Sequence, residues 1–275
     1  MMLVWAKGLV FARINNLELI TSSWFGYRWG AILRWEKKKR FYRNYFKETP
    51  FYKRALIRFQ SSGSKIIIEP EITKISEEEK AVNRIYVFNK PTTGENDLFG
   101  SLRPYRQVIK DEVYNLLCPP QKKMLEKYVS PIISVHIRRG DFKIGNPITP
   151  VSYFITAINI IREVAGNNLK VTIFSDAEKD EIAEILKMPE VSLMEGNSDI
   201  VDLLLMSRSR IIVLSQSSSF SYWAAFLSEA LVIMPGNDWQ KKVRGDNLES
   251  LEVRFIDSDK ESCGKLSDKI RILFS

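Results

Sequence analysis

The sequence predicts an α/β protein made of two lobes, each built around a parallel sheet. Its 275 residues are long for one simple core and suit two α/β lobes. In the second half, short apolar runs alternate with helical patterns, which is typical of a doubly wound parallel sheet. Pro119 and Pro120 interrupt the chain between the halves. We therefore expect an N-terminal lobe over residues 1–120 and a C-terminal lobe over residues 121–275.

Fewer helices and strands are predicted for the first half of the sequence than for the second. Apolar spacing predicts a helix over residues 2–15 and a strand over residues 17–22. Two short buried strands are expected over residues 65–69 and 85–88. A helix over residues 106–117 should end before Pro119, because a residue that precedes a proline avoids the helical conformation.

The second half predicts five strands, each followed by a helix. The strands are expected over residues 132–137, 171–175, 191–194, 210–214 and 232–234, and the helices over residues 151–165, 179–187, 199–207, 220–229 and 262–274. Ligands of such sheets bind beyond the carboxyl ends of the strands. Residues 136–141, 175–176 and 215–221 follow three of these strands, so we expect them to face one crevice.

Positive charge is concentrated in one segment of the N-terminal lobe. The net charge is +8, and residues 28–58 alone contain eleven basic and two acidic residues. Aromatic residues are interleaved with them, including Trp35, Phe41, Tyr42, Tyr45, Phe46, Phe51 and Tyr52. The segment fits contact with an anionic membrane surface, binding of a nucleic acid, or a solvated helix with an aromatic packing side. No RNP, helix-turn-helix or zinc pattern accompanies it, so we expect no nucleic acid.

Composition also bears on the compartment. The two cysteines, Cys118 and Cys263, provide neither a disulfide framework nor a zinc site, and they fit a reducing compartment. No apolar run reaches the roughly 18–20 residues that span a bilayer. We therefore expect a cytoplasmic protein, with peripheral contact at the inner membrane as the role of the basic segment.

The single histidine stands in the most informative motif. His136 lies at the end of an apolar strand and is followed by Arg138, Arg139 and Asp141. Side chains alternate along a strand, so His136 and Arg138 share one face. Guanidinium groups that leave a strand end suit phosphate oxygens, which they bind bidentately. The alternative is that Asp141 pairs with one of the arginines and holds the turn.

Polar side chains follow two further strands. Ser218 and Ser219 open a helix, where hydroxyls and backbone N–H groups either bind an anion or cap the helix. Asp176 follows the strand over residues 171–175. Its carboxylate can accept paired N–H bonds from a guanine edge, or it can cap the next helix.

These strings together resemble a known family. Residues 135–142, Val-His-Ile-Arg-Arg-Gly-Asp-Phe, are similar to the signature of the bacterial alpha-1,2-fucosyltransferases of glycosyltransferase family 11. Residues 173–176, 199–206 and 217–225 resemble the later motifs of that family, in the same order and spacing. Residues 232–235 and Trp239 resemble its closing strand, so the likeness covers about residues 130–240.

The resemblance implies a GT-B architecture of two Rossmann-like lobes, with the donor held mainly by the C-terminal lobe. It implies an inverting, metal-independent transfer of fucose from GDP-fucose to a hydroxyl of a glycan, without a cofactor. The acceptor would be a glycan or lipid-linked oligosaccharide in surface polysaccharide synthesis.

By position in the motifs, Arg138 would contact the β-phosphate and stabilise the departing GDP, while Arg139 supports its loop. Asp176 would read guanine. Ser218 and Ser219 would cap a phosphate, and His136 would orient the diphosphate or the arginine. Asp141 is the carboxylate nearest the motif and thus the candidate base.

The chain also departs from the family pattern. Family members begin with a strand and a glycine-rich loop, whereas this sequence begins within what resembles the following helix. We therefore expect an incomplete N-terminal lobe. The alternatives are an inactive member that only binds a GDP-sugar and a basic nucleic-acid-binding protein. A metal-dependent transferase would use Asp257 and Asp259, but these residues follow the αβ units, where no donor pocket is expected.

Overall fold

The computed structural model describes residues 1–21, 23–24, 44–60, 63–80, 83–91, 97–140, 147–166 and 168–275. The chain divides into two compact units, Met1–Lys122 and Lys123–Ser275. The assignment of acceptor and donor roles to the two lobes stays a prediction. Within the described residues, no helix is long and apolar enough to cross a bilayer.

The first unit packs helices beside a small sheet. The predicted N-terminal helix is present as α1, Met2–Asn15, and it is buried along most of its length because it is apolar on nearly all sides. It ends at Asn16, whose left-handed backbone (φ 52°, ψ 46°) terminates the helix. The other elements are α2 (Phe51–Gln60), β1 (Lys65–Ile68), α3 (Glu77–Lys80), β2 (Arg84–Val87), a 3-10 helix (Gly100–Tyr105), α4 (Arg106–Leu116) and α5 (Pro119–Glu126), which crosses the division between the units.

Two predictions for the first unit are wrong. The strand β1 pairs in parallel with β2, but its outer side chains are not buried, since Ile66 and Ile68 are each 60% exposed. Residues 17–21 are not a strand, because a strand requires a hydrogen-bonded neighbour and the described residues supply none there. Instead, residues 17–21 line a cavity of about 940 Å³ together with α1 and β2.

The second unit contains a six-stranded parallel sheet in the order β5-β4-β3-β6-β7-β8. Its strands are β3 (Ile133–Ile137), β4 (Val171–Ser175), β5 (Val191–Leu193), β6 (Ile211–Val213), β7 (Leu231–Pro235) and β8 (Glu252–Phe255). Its helices are α6 (Val151–Ala165), a 3-10 helix (Lys179–Ile182), α7 (Ala183–Leu186), α8 (Asp199–Ser207), α9 (Ser219–Leu227), a 3-10 helix (Asp246–Leu251) and α10 (Lys260–Phe274). The doubly wound parallel sheet is therefore confirmed.

Two elements of the second unit differ from the prediction. The helix expected over residues 179–187 is a 3-10 helix followed by the short α7. Strand β8 was not predicted, because its four residues are too few for a clear alternation of polar and apolar side chains. It pairs with β7 and extends the sheet by one strand.

The core of this unit lies on both faces of the central strands. On one face, Ile133, Val135 and Ile137 of β3 are fully buried. On the other face, Ser134 of β3 and Ile212 of β6 are fully buried as well. Burial on both faces is typical of a parallel sheet covered by helices, and each such apolar side chain stabilises the fold by roughly 1.5–3 kcal/mol.

The strand order reverses between β3 and β6. From β3 the chain proceeds to β4 and β5 on one side of the sheet, and from β6 it proceeds to β7 and β8 on the other side. The two strands are direct neighbours, with Val135 paired to Val213. The loops that follow them diverge over opposite faces and leave a crevice, which is where such sheets bind ligands.

Candidate active site

Arg138 leaves β3 at this crevice and contacts Asp176, which leaves β4. The Arg138 guanidinium donates a hydrogen bond from Nη1 to Oδ2 of Asp176, and the two side chains form an ion pair. Both are largely buried, with 16% of the Arg138 and 9% of the Asp176 side chain exposed. The backbone N–H of Arg139 donates to the other carboxylate oxygen, Oδ1, at 2.7 Å. Asp176 therefore holds both the side chain of Arg138 and the backbone that follows it.

Arg139 is turned into the protein. Its guanidinium donates to the backbone oxygen of Arg138 and to that of Thr149, each at 2.9 Å, and the residue is 5% exposed. Burial lowers the pKa of this guanidinium, although nearby Glu181 and Asp176 oppose the shift. Arg139 thus stabilises the loop after β3 from inside.

Gly140 allows this loop to approach Asp176. Its backbone has a φ of +38°, in the region that favours glycine. A Cβ atom at this position would lie 2.7 Å from Oδ2 of Asp176. Only glycine therefore fits here without moving the carboxylate that holds Arg138.

Two serines at strand ends form hydrogen bonds with the backbone at the end of β3. Ser215, directly after β6, donates from Oγ to the backbone oxygen of His136 at 2.7 Å and accepts from the backbone N–H of Arg138 at 2.9 Å. Ser175, the last residue of β4, donates to the backbone oxygen of Ile137 at 2.7 Å. The backbone around Arg138 is thus held from both neighbouring strands. Neither serine was predicted as a binding residue, although both stand at predicted strand ends.

His136 is buried beneath the crevice. It is 4% exposed, and its ring lies 5.0 Å from that of Phe220, the second residue of α9. This contact places β3 against the first turn of α9. Positioning of the arginine loop is thus the role that the geometry favours for His136.

The loop after β6 leads into the N-terminus of α9. Ser218 is the N-cap residue and is 3% exposed, but its side chain makes no capping hydrogen bond. Ser219 is exposed at the first helical position. The first N–H groups of a helix have no intrahelical acceptor, and they attract anions together with the helix dipole. Because the Ser218 side chain makes no capping hydrogen bond, the structure does not support the interpretation that this side chain caps α9.

Asp238, which lies beyond β7, fixes the shape of this serine loop. Ser217 has a φ of +56°, and its backbone N–H donates to both carboxylate oxygens of Asp238 at 3.4 Å. The hydroxyl of Tyr222 on α9 also donates to Asp238. Burial raises the pKa of Asp238 above its ordinary value, and these hydrogen bonds only partly offset that effect. Asp238 and Tyr222 were not predicted, although the carboxyl end of a fourth strand was a signal that could have found them.

Thr149 joins the two loops. Its backbone oxygen accepts from Arg139, and its Oγ1 accepts from the backbone N–H of Gln216 at 2.9 Å. Thr149 is 4% exposed. The crevice is therefore one connected structure, in which the arginine loop and the serine loop share a buried partner.

The sequence also singled out carboxylates as a candidate base, Asp141, and as a candidate metal site, Asp257 and Asp259. Asp141, the candidate base, lies outside the described residues. Asp259 caps α10 by accepting from the backbone N–H of Glu261, and Asp257 accepts from Ser152. Among the described residues, no group of three or more His, Cys, Asp and Glu side chains is placed to hold a metal ion.

The fold and this crevice define a class of protein. The chain has the α/β architecture of the GT-B glycosyltransferases, with a crevice lined by an arginine and a helix N-terminus at the switch point of its parallel sheet. The crystal structure of NodZ alpha-1,6-fucosyltransferase soaked with GDP-fucose overlaps with it at a TM-score of 0.50 and 12% identity, over 88% of this chain and 92% of NodZ. At that identity the likeness concerns the fold.

The sequence comparisons name the family. The model of glycosyl transferase family 11 matches residues 105–241, just under half of the chain, and this range includes all the described crevice residues. The predicted resemblance is confirmed over this part of the chain. An alpha-1,2-colitosyltransferase of Escherichia coli is 33% identical over an alignment of 137 positions, and the alignment covers 43% of this chain and 46% of the relative. The match thus spans just under half of that relative's length.

Proposed function

We propose that the protein is an inverting, metal-independent glycosyltransferase that transfers fucose from GDP-fucose to a hydroxyl of a glycan. The observation that carries the proposal is the link between the arginine loop and the loop that leads into α9: Arg138 donates its backbone N–H to Ser215, and Thr149 joins Arg139 to Gln216. A guanidinium and a helix N-terminus are two groups that bind phosphate, and a nucleotide diphosphate needs both.

The reaction requires stabilisation of a leaving group. The acceptor oxygen forms a bond to the anomeric carbon of fucose from the face opposite the diphosphate, so the configuration inverts. The bond from that carbon to the β-phosphate oxygen breaks, and its electron pair stays on GDP. Without a metal, fixed positive groups must offset this charge. A charge-assisted hydrogen bond from Arg138 contributes roughly 1.5–3 kcal/mol, which corresponds to about one to two decades in rate.

Asp176 has two roles in this proposal. Its ion pair with Arg138 aims the guanidinium at the crevice, as a positioning residue. Each carboxylate oxygen has a second lone pair, so the same group can also accept from the guanine edge of the donor. Arg139 and His136 support the loop from inside.

The serine loop holds the second phosphate contact. Ser219, exposed at the first position of α9, would offer its hydroxyl to this phosphate, and the buried Ser218 would offer its backbone N–H. The proton of the acceptor hydroxyl passes to a base, for which Asp141 is the proposed group. Its proximity to Arg138 in sequence supports that assignment.

The proposal also extends to the acceptor and to the sugar that is transferred. A glycan or lipid-linked oligosaccharide in surface polysaccharide synthesis, in the cytoplasm, is the proposed acceptor, with an alpha-1,2 linkage supported by the name of the Escherichia coli relative. The same name makes colitose the second candidate sugar. An assay in which the enzyme receives GDP-fucose and GDP-colitose together would show which of the two sugars it transfers.

The first test is thermal unfolding with GDP, GDP-fucose, UDP and ADP. We expect a rise in Tm with the guanine nucleotides alone, and its loss in Arg138→Ala. Arg271→Ala is the control, since Arg271 is exposed on α10 and pairs only with Asp268 at the surface. The rise should persist when EDTA is present. Equal shifts with all four nucleotides would contradict a guanine site, and binding without turnover would identify a family member that only holds the donor.

A further inference from the structure

Helix α2, Phe51–Gln60, presents four large apolar residues to solvent. Phe51 is 77% exposed, Tyr52 73%, Leu56 53% and Phe59 81%. At about 100° per residue, these four positions and Ala55 lie within an arc of about 140°. The exposed residues therefore form one continuous stripe along the helix, which we call the aromatic stripe.

The opposite side of α2 carries ion pairs to the rest of the first unit. Lys53 pairs with Glu18, and Arg54 lies 3.5 Å from Glu48. The side chain of Arg54 is 24% exposed and that of Lys53 is 44% exposed. The helix thus turns its cationic side toward acidic residues of its own unit and its aromatic stripe outward. This orientation is the reverse of that of an ordinary surface helix.

A stripe of this kind indicates contact with another apolar surface. Soluble proteins expose single apolar side chains freely, but a contiguous row of large ones marks an interaction surface. The burial that usually stabilises such side chains is absent for three of the four, because more than seven-tenths of each is exposed. The stripe is therefore available to whatever approaches this face of α2.

The positive charge of α2 and its neighbouring residues indicates which kind of surface the aromatic stripe contacts. Helix α2 contains three basic and no acidic residues, and residues 28–58 as a whole carry a net charge of +9. An exposed apolar stripe in a segment of high net positive charge is typical of helices that lie in the plane of a membrane interface, where rings enter the acyl boundary and the positive charge attracts anionic headgroups. A nucleic acid bound through its phosphates would leave the exposed apolar side chains without an apolar partner.

We propose that α2 docks the protein on an anionic lipid bilayer, with the aromatic stripe inserted among the lipids. The four exposed apolar residues supply the attachment and the positive charge supplies the preference for anionic lipid. This inference is independent of the proposed transfer reaction, because it involves none of the residues of the crevice.

The test is sedimentation of the full chain with vesicles. Vesicles of phosphatidylcholine alone are compared with vesicles that contain equal parts of phosphatidylcholine and phosphatidylglycerol. We expect binding to the anionic vesicles to fall at least tenfold in the triple variant Phe51→Ser, Leu56→Ser, Phe59→Ser. The matched control is Val108→Ser, Val129→Ser, Ile272→Ser, in which three other exposed apolar residues are changed, and it should bind like the wild type.

Two measurements keep the outcome decisive. Both triple variants should unfold at the wild-type temperature and keep their response to GDP, because only exposed side chains change. Equal vesicle binding by the wild type and the α2 variant would overturn the proposal. It would also be overturned if the wild type ignored anionic vesicles and instead bound RNA or formed dimers that the α2 variant loses.

Discussion

Asp176 uses one carboxylate oxygen for the guanidinium of Arg138 and the other for the backbone N–H of Arg139. A single side chain from β4 therefore sets both the direction of the arginine and the course of its loop. Because a guanidinium that is already aimed loses less freedom on binding, this arrangement would favour the phosphate contact that we propose for Arg138.

Replacement of Asp176 by asparagine separates its two proposed roles. The carboxamide offers one acceptor where the carboxylate has two, so it cannot receive both N–H groups of a guanine edge. We expect the wild type to bind GDP more tightly than inosine diphosphate, which lacks the exocyclic amino group, and Asp176→Asn to lose that preference. Titration calorimetry with both nucleotides measures it. A preference that survives in the variant would leave Asp176 with the positioning of Arg138 alone.

Alanine at position 140 should impair activity more than stability. The left-handed backbone costs an alanine about 1–2 kcal/mol, and its Cβ would displace the carboxylate of Asp176. We expect turnover to fall at least tenfold while the protein remains folded. Gly264→Ala in α10 is the control, since no atom lies within 4 Å of its added Cβ and a helical alanine stabilises by about 0.5–1 kcal/mol. If both variants had wild-type turnover, the close approach at Gly140 would have no catalytic role.

Ser215→Ala tests the connection between β3 and β6. The change leaves the backbone N–H of Arg138 and the backbone oxygen of His136 without their buried partner, at a cost of about 1–3 kcal/mol each. We expect a decrease in Tm of several degrees, together with a higher Kd for GDP. Ser152→Ala removes a more exposed hydrogen bond to Asp257 and should change neither quantity. A stable Ser215→Ala protein with normal GDP affinity would contradict the connection.

The raised pKa of Asp238 should make the free energy of unfolding depend on pH. Burial raises the pKa of this carboxyl in the folded state above its ordinary value of 3.8. The folded protein therefore binds more protons than the unfolded chain between the two pKa values, and its stability falls as pH rises through that window. Asp238→Asn lacks this titration. We expect the Tm of the wild type minus that of the variant to decrease as pH rises from 3.8, and a constant difference would show that Asp238 titrates normally.

The second unit could be predicted closely because its signals are local. The bounds of α6, β4 and α8 agree with those expected from apolar periodicity and turn residues. The crevice was predicted as well, since the carboxyl ends of parallel strands meet at one edge of a sheet whatever the rest of the chain does. Arg138, Asp176 and the serine loop were named on that basis, and in the structure Arg138 contacts Asp176 directly and bonds through its backbone N–H to Ser215, where the serine loop begins.

The partners of these residues required the tertiary structure. The two sequence interpretations of Asp176 were a guanine contact and a helix cap, and neither names Arg138, because pairing across two strands depends on register. The buried contacts of Thr149 and Asp238 also join residues far apart in the chain. Short polar residues in loops carry no periodic signal that could predict such contacts.

The sequence by itself thus determined the parallel sheet, the position of the crevice and the family of residues 105–241, because each depends on local periodicity or on contiguous motifs. Only the tertiary structure decided which side chains meet there and which way α2 faces. Amphipathicity shows that a helix has two different sides, but the partners Glu18 and Glu48 decide which side turns inward. In this protein they draw the cationic side in and leave the aromatic stripe outside.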